Sequence, residues 1–205
     1  NNVALVTGAS DGIGAEFVKI LASRGYDLIL VARREEKLNE LAVRLSDEFG
    51  VECTVMAADL SEPKAAQNLF QRIEDRGLQV NFLINNAGLL HNGFFANLSL
   101  EAQEKMIQVN VIALTALTHL YAAKMSSNGG GHILNVASLA GWMAIPNQNV
   151  YAASKAYVVS FSQALSNEMI AANSGVQVTA LCPGYTDTKM MDNPDQGATL
   201  RIPSG

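Results

Sequence analysis

Residues 3–21 read VALVTGASDGIGAEFVKIL, and they carry the strongest indication of the fold. The four apolar residues at its start predict a buried strand, and the apolar spacing after its last glycine predicts a helix. Between them lies a turn with glycines at positions 8, 12 and 14. A strand, a glycine-rich turn and a helix in this order aim backbone N–H groups and a helix N-terminus at a pyrophosphate. The stretch therefore predicts a phosphate-binding unit, with the spacing TGxxxGxG and not the commoner GxGxxG.

The rest of the chain repeats the alternation of strand and helix. Strand-like runs lie at 3–6, 27–32, 51–58, 80–84, 132–137 and 176–182, and helical patterns lie at 13–24, 35–49, 62–76, 99–126 and 151–173. This alternation predicts an α/β fold of the Rossmann-like, doubly wound type, in which helices cover both faces of one parallel sheet. Ligands of such sheets bind at the carboxyl ends of the strands, so the residues that follow each strand are the candidates for a site.

Tyr151 and Lys155 are four positions apart on a predicted helix, so their side chains share one face about one turn apart. A free tyrosine is a poor base at neutral pH because its pKa is about 10. We expect the nearby cation to lower that pKa toward the range that acid/base catalysis of alcohol and ketone interconversion requires. Ser138 follows the strand-like run 132–137 and offers a hydroxyl that can hold the substrate oxygen.

Together with two further segments, these motifs resemble the short-chain dehydrogenase/reductase family, in its single-domain branch with TGxxxGxG spacing. The segment 85–88 reads NNAG and is similar to the family's segment beside the cofactor. Pro183 and Gly184, with Thr188 after them, resemble the PGxxxT turn that contacts the nicotinamide carboxamide. Thr186 stands where the family commonly has an apolar residue. The resemblance spans residues 3–188 and implies the strand order 3-2-1-4-5-6.

The resemblance also implies roles for single residues. Asn110 is expected to distort its helix locally and to hold a water in a proton relay from Lys155, which would also bind the nicotinamide ribose. Asp59 is expected beside the adenine. The implied catalytic residues are Ser138, Tyr151, Lys155 and Asn110. The implied cofactor-binding residues are Gly8, Ser10, Gly12, Ile13, Gly14, Arg33, Arg34, Asp59, Leu60, Asn86, Ala87, Gly88, Tyr151, Lys155, Pro183, Gly184, Thr186 and Thr188.

The end of the second predicted strand bears on the choice between NAD and NADP. An NAD enzyme would have an acidic residue there to accept hydrogen bonds from the ribose 2′-hydroxyl, but this chain has Arg33 and Arg34. Arg33 stands where NADP-preferring relatives carry arginine, and it can form a charge-assisted pair with the 2′-phosphate. Asp11 is a contrary sign, because some NADP enzymes have a basic residue in that turn; we expect it to face solvent. The arginines favour NADP(H), with NAD(H) as the alternative.

Composition argues against several classes of function. The chain has 205 residues, 49% of them hydrophobic, which suits one domain with a substantial core. Its formal net charge of −5 argues against a nucleic-acid partner. None of the three histidines has acidic or cysteine companions at ligand spacing, so no metal site is predicted. Cys53 and Cys182 lie in apolar strand-like runs and are expected to be buried thiols without a disulfide.

The longest uncharged run, residues 106–123, approaches the length of a membrane span. Its internal polar residues make a helix of a soluble protein the better prediction. No charged segment with an apolar signal core precedes the first strand, so we expect a cytoplasmic protein without a membrane partner. We also expect residues 1–205 to form a single domain that stops before the final parallel strand usual in the family.

The predicted function is that of an NADP(H)-dependent oxidoreductase that interconverts a carbonyl and a secondary alcohol by hydride transfer. Its small-molecule substrate is expected to be apolar, because apolar residues flank the motifs; these are Leu89, Leu90, Phe94, Phe95, Trp142 and Met143. His91 follows the NNAG segment and is a candidate to face the substrate. The nearest alternative is 3-oxoacyl-carrier-protein reductase, whose relatives usually carry an arginine and an aspartate where this chain has LLHN.

Two more distant functions also share part of this pattern. An epimerase or dehydratase of the family's extended branch would act on nucleotide sugars, but the glycine spacing and the lack of a substrate domain disfavour it. A non-catalytic NADP-binding regulatory or scaffold protein would not need the intact Ser138, Tyr151 and Lys155 set.

The predicted helices at 99–126 and 151–173 are apolar on more than one face. The side chains that exceed one contact with the sheet are Ile112, Leu114, Leu117, Leu120, Tyr157, Val158, Phe161 and Leu165. Packing these helices against their copies about a two-fold axis would bury the surplus. We expect at least a homodimer, with a homotetramer as the larger alternative.

Overall fold

Six parallel strands form one sheet in the computed structural model, which describes residues 2–184. The strands are β1 (Val3–Thr7), β2 (Asp27–Ala32), β3 (Cys53–Ala57), β4 (Val80–Asn85), β5 (Gly131–Val136) and β6 (Val176–Leu181). Their order is β3-β2-β1-β4-β5-β6. The predicted doubly wound class and the strand order implied by the resemblance are both confirmed.

Helices connect the strands, as the alternation predicts. They are α1 (Gly12–Ser23), α2 (Glu35–Phe49), α3 (Ala65–Glu74), α4 (Leu100–Ile107), α5 (Leu114–Ser127) and α6 (Asn149–Ala171). The start of α3 differs from the predicted residue 62. Asp59 Oδ1 accepts hydrogen bonds from the amide and the hydroxyl of Ser61, and Lys64 has a left-handed backbone with φ of 60°. Because of these local turns, α3 begins at Ala65.

Two apolar layers lie on opposite faces of the sheet, because successive side chains of a strand point to opposite sides. In β1, Ala4 and Val6 pack on the side of α1 and α2, whereas Leu5 packs on the side of α3 and α5. Leu165 and Met169 of α6 also pack on the α3 side. Both faces of each central strand are therefore covered, which explains why β1, β2 and β4 read as continuous apolar runs.

The region from α4 to α5 is one continuous helix that changes its winding in the middle. Residues Gln108–Ala113 form a π-helical segment between the two α-helical parts. By length and composition alone, Leu100–Ser127 could cross a membrane, but half of its most apolar window is buried against the rest of the protein. Among the residues that the structure describes, it is the one helix that meets this criterion.

The order of the strands in the sheet reverses between β1 and β4: β2 and β3 are added on one side of β1, and β4, β5 and β6 on the other. Val6 of β1 pairs with Leu30 of β2 on one side and with Ile84 of β4 on the other. The segments that leave β1 and β4 therefore emerge side by side at the carboxyl edge. In open α/β sheets this crevice is where ligands bind, and both predicted glycine-containing motifs begin at it.

Candidate active site

The turn after β1 and the NNAG segment after β4 hold each other through hydrogen bonds. The hydroxyl of Thr7 accepts hydrogen bonds from the amides of Asn86 and Ala87, both at 3.0 Å. In return, Asn86 Nδ2 donates to the carbonyls of Thr7 and Gly8 at 3.0 and 3.2 Å. These contacts fix the distance between the two segments that line the crevice.

Two glycines of the turn are required by space as well as by conformation. Gly8 has φ of 67°, and a Cβ placed there would lie 2.8 Å from Asn86 Nδ2. A Cβ on Gly14 would lie 2.1 Å from the carbonyl oxygen of Gly8, so only glycine lets α1 pack this closely under the turn. The turn therefore brings its backbone and the N-terminus of α1 to the crevice, which suits a pyrophosphate.

A cavity of about 1020 Å³ opens along the carboxyl edge of the sheet. Its volume is at the upper end of ordinary ligand sites, which suits a dinucleotide together with a substrate. The implied cofactor residues that line it are Gly8, Ser10, Gly12, Ile13, Arg33, Arg34, Asp59, Leu60, Asn86, Ala87, Gly88, Tyr151, Lys155, Pro183 and Gly184. Gly14 does not line the cavity but lets α1 pack closely under the turn. Thr186 and Thr188 lie outside the described residues. The lining and the glycine turn thus fit a nicotinamide dinucleotide.

Ser138, Tyr151 and Lys155 all line this cavity. Ser138 follows β5 and caps a short 3₁₀ helix, where its hydroxyl accepts a hydrogen bond from the Ala140 amide at 3.1 Å. Tyr151 lies in the first turn of α6, and Lys155 lies one turn later. Lys155 Nζ donates to the Val136 carbonyl at 2.8 Å and lies 5.7 Å from the centre of the Tyr151 ring. The structure therefore brings the predicted trio together.

Burial dominates the titration of both groups. It raises the pKa of the Tyr151 phenol above its ordinary value, while the hydrogen bond with Ser138 lowers it by a smaller amount. Burial also lowers the pKa of Lys155 to about 8, against the opposing effect of Cys182. The expected lowering of the Tyr151 pKa by Lys155 is not met in this structure. The physical reason is that desolvation of the phenol outweighs its favourable interactions.

Asn110 lies in the π-helical segment and is completely buried. Its Oδ1 accepts from the Leu89 amide at 2.8 Å, and its Nδ2 donates to the Leu89 carbonyl at 2.9 Å and to Ser154 Oγ at 3.1 Å. The expected local distortion of the helix is present. The side chain holds the backbone just after NNAG and so shapes the cavity from behind, while its part in a proton relay stays a prediction.

Charged residues are concentrated where the cavity meets the end of β2. Arg34 forms an ion pair with Asp11, and Lys37 Nζ lies 3.9 Å from the same carboxylate. The expectation that Asp11 faces solvent is therefore wrong, because two cations draw it to the cavity wall. Burial alone raises the pKa of Asp59, but hydrogen bonds from Ser61 and the charges of Arg33 and Lys105 bring it below its ordinary value.

Sequence reasoning missed several residues of the cavity wall. They are Asp11, Val31, Ala32, Ala58, Ser99, Glu101, Ala102, Lys105, Val109, Val136 and Ala137. Lys105 forms a 2.8 Å ion pair with Glu101 on α4, and the charge of Lys105 reaches Asp59. The available signal was the helical spacing of Glu101, Lys105 and Val109, which places them on one face of the helix after NNAG.

Only part of the predicted apolar lining lies in the cavity wall. Leu89, Leu90 and His91 line the cavity, so His91 is in the place that the sequence suggested. The four remaining apolar candidates are largely exposed, and Trp142 lines a separate groove of about 490 Å³ between α6 and β6; the four are Phe94, Phe95, Trp142 and Met143. They are absent from the cavity lining and lie in the segments that follow β4 and β5.

The two cysteines and three histidines, for which the sequence predicts no metal site and no disulfide, all lie within the described residues. Cys53 and Cys182 are free thiols, and each is half-buried and not fully buried as expected; Cys53 is the first residue of β3, and Cys182 follows the last residue of β6. Within residues 2–184, no cluster of His, Cys, Asp and Glu side chains could hold a metal ion.

Comparison with known proteins places this arrangement among related folds. The family model described as short chain dehydrogenase matches residues 2–198. An uncharacterized oxidoreductase of Staphylococcus saprophyticus is 33% identical over 98% of the chain and 86% of its own length. The very-long-chain 3-oxoacyl-CoA reductase of Anas platyrhynchos is 36% identical over 91% of the chain, which spans 60% of that protein.

Solved structures resemble the whole described sheet. A short-chain dehydrogenase from Sphingobium yanoikuyae in complex with NADPH aligns with a TM-score of 0.87 and 37% identity, over 93% of this chain and 73% of that one. The bulky-bulky ketone specific alcohol dehydrogenase from Comamonas testosteroni aligns with a TM-score of 0.86 and 32% identity, over 96% and 77% of the two chains.

Proposed function

Because the chain belongs to the short-chain dehydrogenase family, we propose that it is an NADP(H)-dependent oxidoreductase that interconverts a carbonyl and a secondary alcohol, with Tyr151 as the acid/base. The chain is an oxidoreductase of this family, and related structures contain NADPH or 5-hydroxy-NADP. One observation carries the finer proposal: Ser138, Tyr151 and Lys155 line the same cavity as the glycine turn and Arg33.

The chemistry divides between the cofactor and the protein. NADP(H) supplies or accepts the hydride. Ser138 holds the substrate oxygen through its hydroxyl, and Tyr151 donates a proton to that oxygen as charge develops on it. Because burial raises the pKa of Tyr151, the phenol is protonated at neutral pH, which suits the direction of carbonyl reduction. Because the pKa of Lys155 is about 8, its amine is mostly protonated at neutral pH and places a cation beside the phenol.

The substrate class follows from the cavity wall and its surroundings. Leu89 and Leu90 line the cavity, and Phe94 and Phe95, a few residues further along the same segment, are more than half exposed. Exposed apolar groups close to a site favour a bulky apolar substrate over a small polar one. A relative is specific for bulky-bulky ketones, which supports a bulky ketone as the first candidate.

A second candidate substrate is a 3-oxoacyl thioester. Very-long-chain 3-oxoacyl-CoA reductases are among the relatives of this chain, and 3-oxoacyl-carrier-protein reductase shares their chemistry. The two candidates differ in a direct assay of NADPH oxidation, with a panel of bulky ketones in one arm and 3-oxoacyl-CoA esters in the other arm. Turnover confined to the second arm would replace the ketone by the thioester.

Tyr151→Phe tests the mechanism. It removes the proton donor and keeps the ring, so NADPH affinity should stay nearly unchanged while turnover falls by at least about 100-fold. Tyr157→Phe is the matched control, because Tyr157 lies on the same helix and its hydroxyl contacts Thr115 outside the cavity lining. Near-native turnover of the Tyr151 variant would reject Tyr151 as the acid/base.

A further inference from the structure

Ser154 is a buried polar residue of α6 that the proposed mechanism does not use. It lies between Tyr151 and Lys155 in the sequence, and only 4% of its surface is exposed. Alanine is more favourable than serine inside a helix, and the two preceding residues, Ala152 and Ala153, are alanines. A hydroxyl also costs free energy when it is buried without partners. The contacts of its hydroxyl therefore distinguish Ser154 from a further alanine.

The Ser154 hydroxyl makes two hydrogen bonds inside the protein. It donates to the backbone carbonyl of Tyr151 at 2.7 Å, and it accepts from Asn110 Nδ2 at 3.1 Å. Asn110 in turn bonds the amide and the carbonyl of Leu89, at 2.8 and 2.9 Å. A continuous path of hydrogen bonds thus runs from the backbone of Leu89, through two buried side chains, to the backbone of Tyr151.

Both ends of this path lie at the candidate active site. Leu89, in the segment after β4, and Tyr151, on α6, line the cavity. The first turn of α6 contains Tyr151 and begins without a side-chain cap, since Gln148 makes no capping hydrogen bond. Helix ends fray, so contacts with other elements matter most for such a turn. Ser154 links this turn to the segment after β4.

We propose that Ser154 is a positioning residue, which holds Tyr151 where proton transfer requires it. The inference rests on the proposed function of Tyr151. Ser154 does not line the cavity and acts through the Tyr151 backbone. Its hydroxyl fixes where the first turn of α6 lies relative to Leu89, and so fixes the distance between the phenol and a substrate in the cavity. A misplacement of about 1 Å can reduce turnover by about 100-fold, so a smaller movement is measurable as well.

Ser154→Ala removes the hydroxyl and introduces a residue that helices favour. The Asn110 side chain then keeps its bonds to Leu89 and loses its link to α6. Ser162→Ala is the matched control, because Ser162 is a buried serine about two turns further along the same helix. Its hydroxyl also accepts a hydrogen bond from a buried asparagine, Asn135 Nδ2 at 3.0 Å, and it does not line the cavity.

The experiment compares wild type and both variants by steady-state kinetics, NADPH titration and thermal unfolding. The substrate is the bulky ketone or 3-oxoacyl-CoA ester that wild type reduces fastest. Both variants should unfold at a lower temperature, because each loses a buried hydrogen bond. In Ser154→Ala, kcat should fall at least about fivefold, while KM and the NADPH dissociation constant change by less than about twofold. In Ser162→Ala, all three constants should stay within about twofold of wild type.

Two outcomes in the variants would overturn the inference. A native kcat in Ser154→Ala would show that Ser154 only supports the fold. An equal fall of kcat in both variants would show that any loosening of α6 lowers turnover. If Ser154→Ala does not fold, as judged by its circular dichroism, Ser154→Cys provides the same comparison, because a thiol is a weak donor and acceptor. A wild-type protein that oxidises NADPH with neither substrate class would reject the proposed function, and this inference with it.

Discussion

Arg33 is the residue that we expect to separate NADPH from NADH most strongly. It is exposed at the cavity wall and has no carboxylate within ion-pair distance among the described residues, whereas Arg34 does. Arg33→Ala should weaken NADPH binding by about 1.5 to 3 kcal/mol more than NADH binding, as expected for loss of a direct charge-assisted pair. Titration of both cofactors measures the difference. Arg44→Ala, at an exposed position of α2, is the control. An equal loss for both cofactors in the Arg33 variant would show that Arg33 does not contact the phosphate.

Lys155 should make the stability of the cofactor-free protein depend on pH. Its pKa is about 8 in the folded protein and 10.5 in a solvated reference, so the unfolded chain binds the extra proton between these values. The contribution of Lys155 to the free energy of unfolding therefore rises with pH from about 8 to 10.5, by up to about 3 kcal/mol, and is constant outside this window. Lys155→Met removes the titrating group. Urea unfolding of wild type and variant should give a difference that increases across this window, and a constant difference would contradict the lowered pKa.

Single residues show what the sequence could and could not predict about the site. The spacing of Tyr151 and Lys155 and the glycines of the turn are local patterns, and Gly8, Gly12, Tyr151 and Lys155 all line the cavity. The pairing of Asp11 with Arg34 joins positions that are 23 residues apart. It depends on how the end of β2 meets the turn after β1, which no local pattern contains. Desolvation of Tyr151 is likewise a property of the packed molecule, so the direction of its pKa shift was missed.

At the scale of elements, strands and helices were predictable because both have a regular apolar period. All six predicted strands are present. Some helix ends differ from the prediction by a few residues, for example at the start of α3, where the turn from Asp59 to Ser61 competes with the helix. The π-helical segment has no such period. Only the resemblance of Asn110 to a family position indicated a distortion there, and the structure gives its extent as Gln108–Ala113.

Asn110→Ala should destabilise the protein through this segment. The substitution leaves the amide and carbonyl of Leu89 without their side-chain partner, at an expected cost of about 2 to 4 kcal/mol in the free energy of unfolding. Urea denaturation measures the loss. Asn39→Ala, on the exposed face of α2, makes the same chemical change and should alter stability by less than about 0.5 kcal/mol. Equal effects of the two substitutions would mean that the hydrogen bonds between Asn110 and the Leu89 backbone do not stabilise the folded protein.

At the scale of the whole molecule, the structure corrects the argument for assembly. Leu114, Leu117 and Val158 were counted as surplus apolar residues, but the chain buries them in its own core. The surplus that remains is smaller. Ile112 and Tyr157 are 50% and 38% exposed, and Tyr157 stacks on Phe161 with ring centres 5.6 Å apart. A face with this flat aromatic pair and an exposed isoleucine can still pack against its own copy.

We therefore expect wild-type protein at micromolar concentration to sediment as at least a dimer of the 21.9 kDa chain. Ile112→Glu places a charge on this face and should shift the protein toward monomer, because a carboxylate loses its hydration when the face is covered. Val43→Glu is the matched control, since Val43 is 60% exposed on α2 and away from α5 and α6. Sedimentation of wild type only as monomer would reject the dimer. A dimer that survives Ile112→Glu as well as it survives Val43→Glu would place the contact on another face of the molecule.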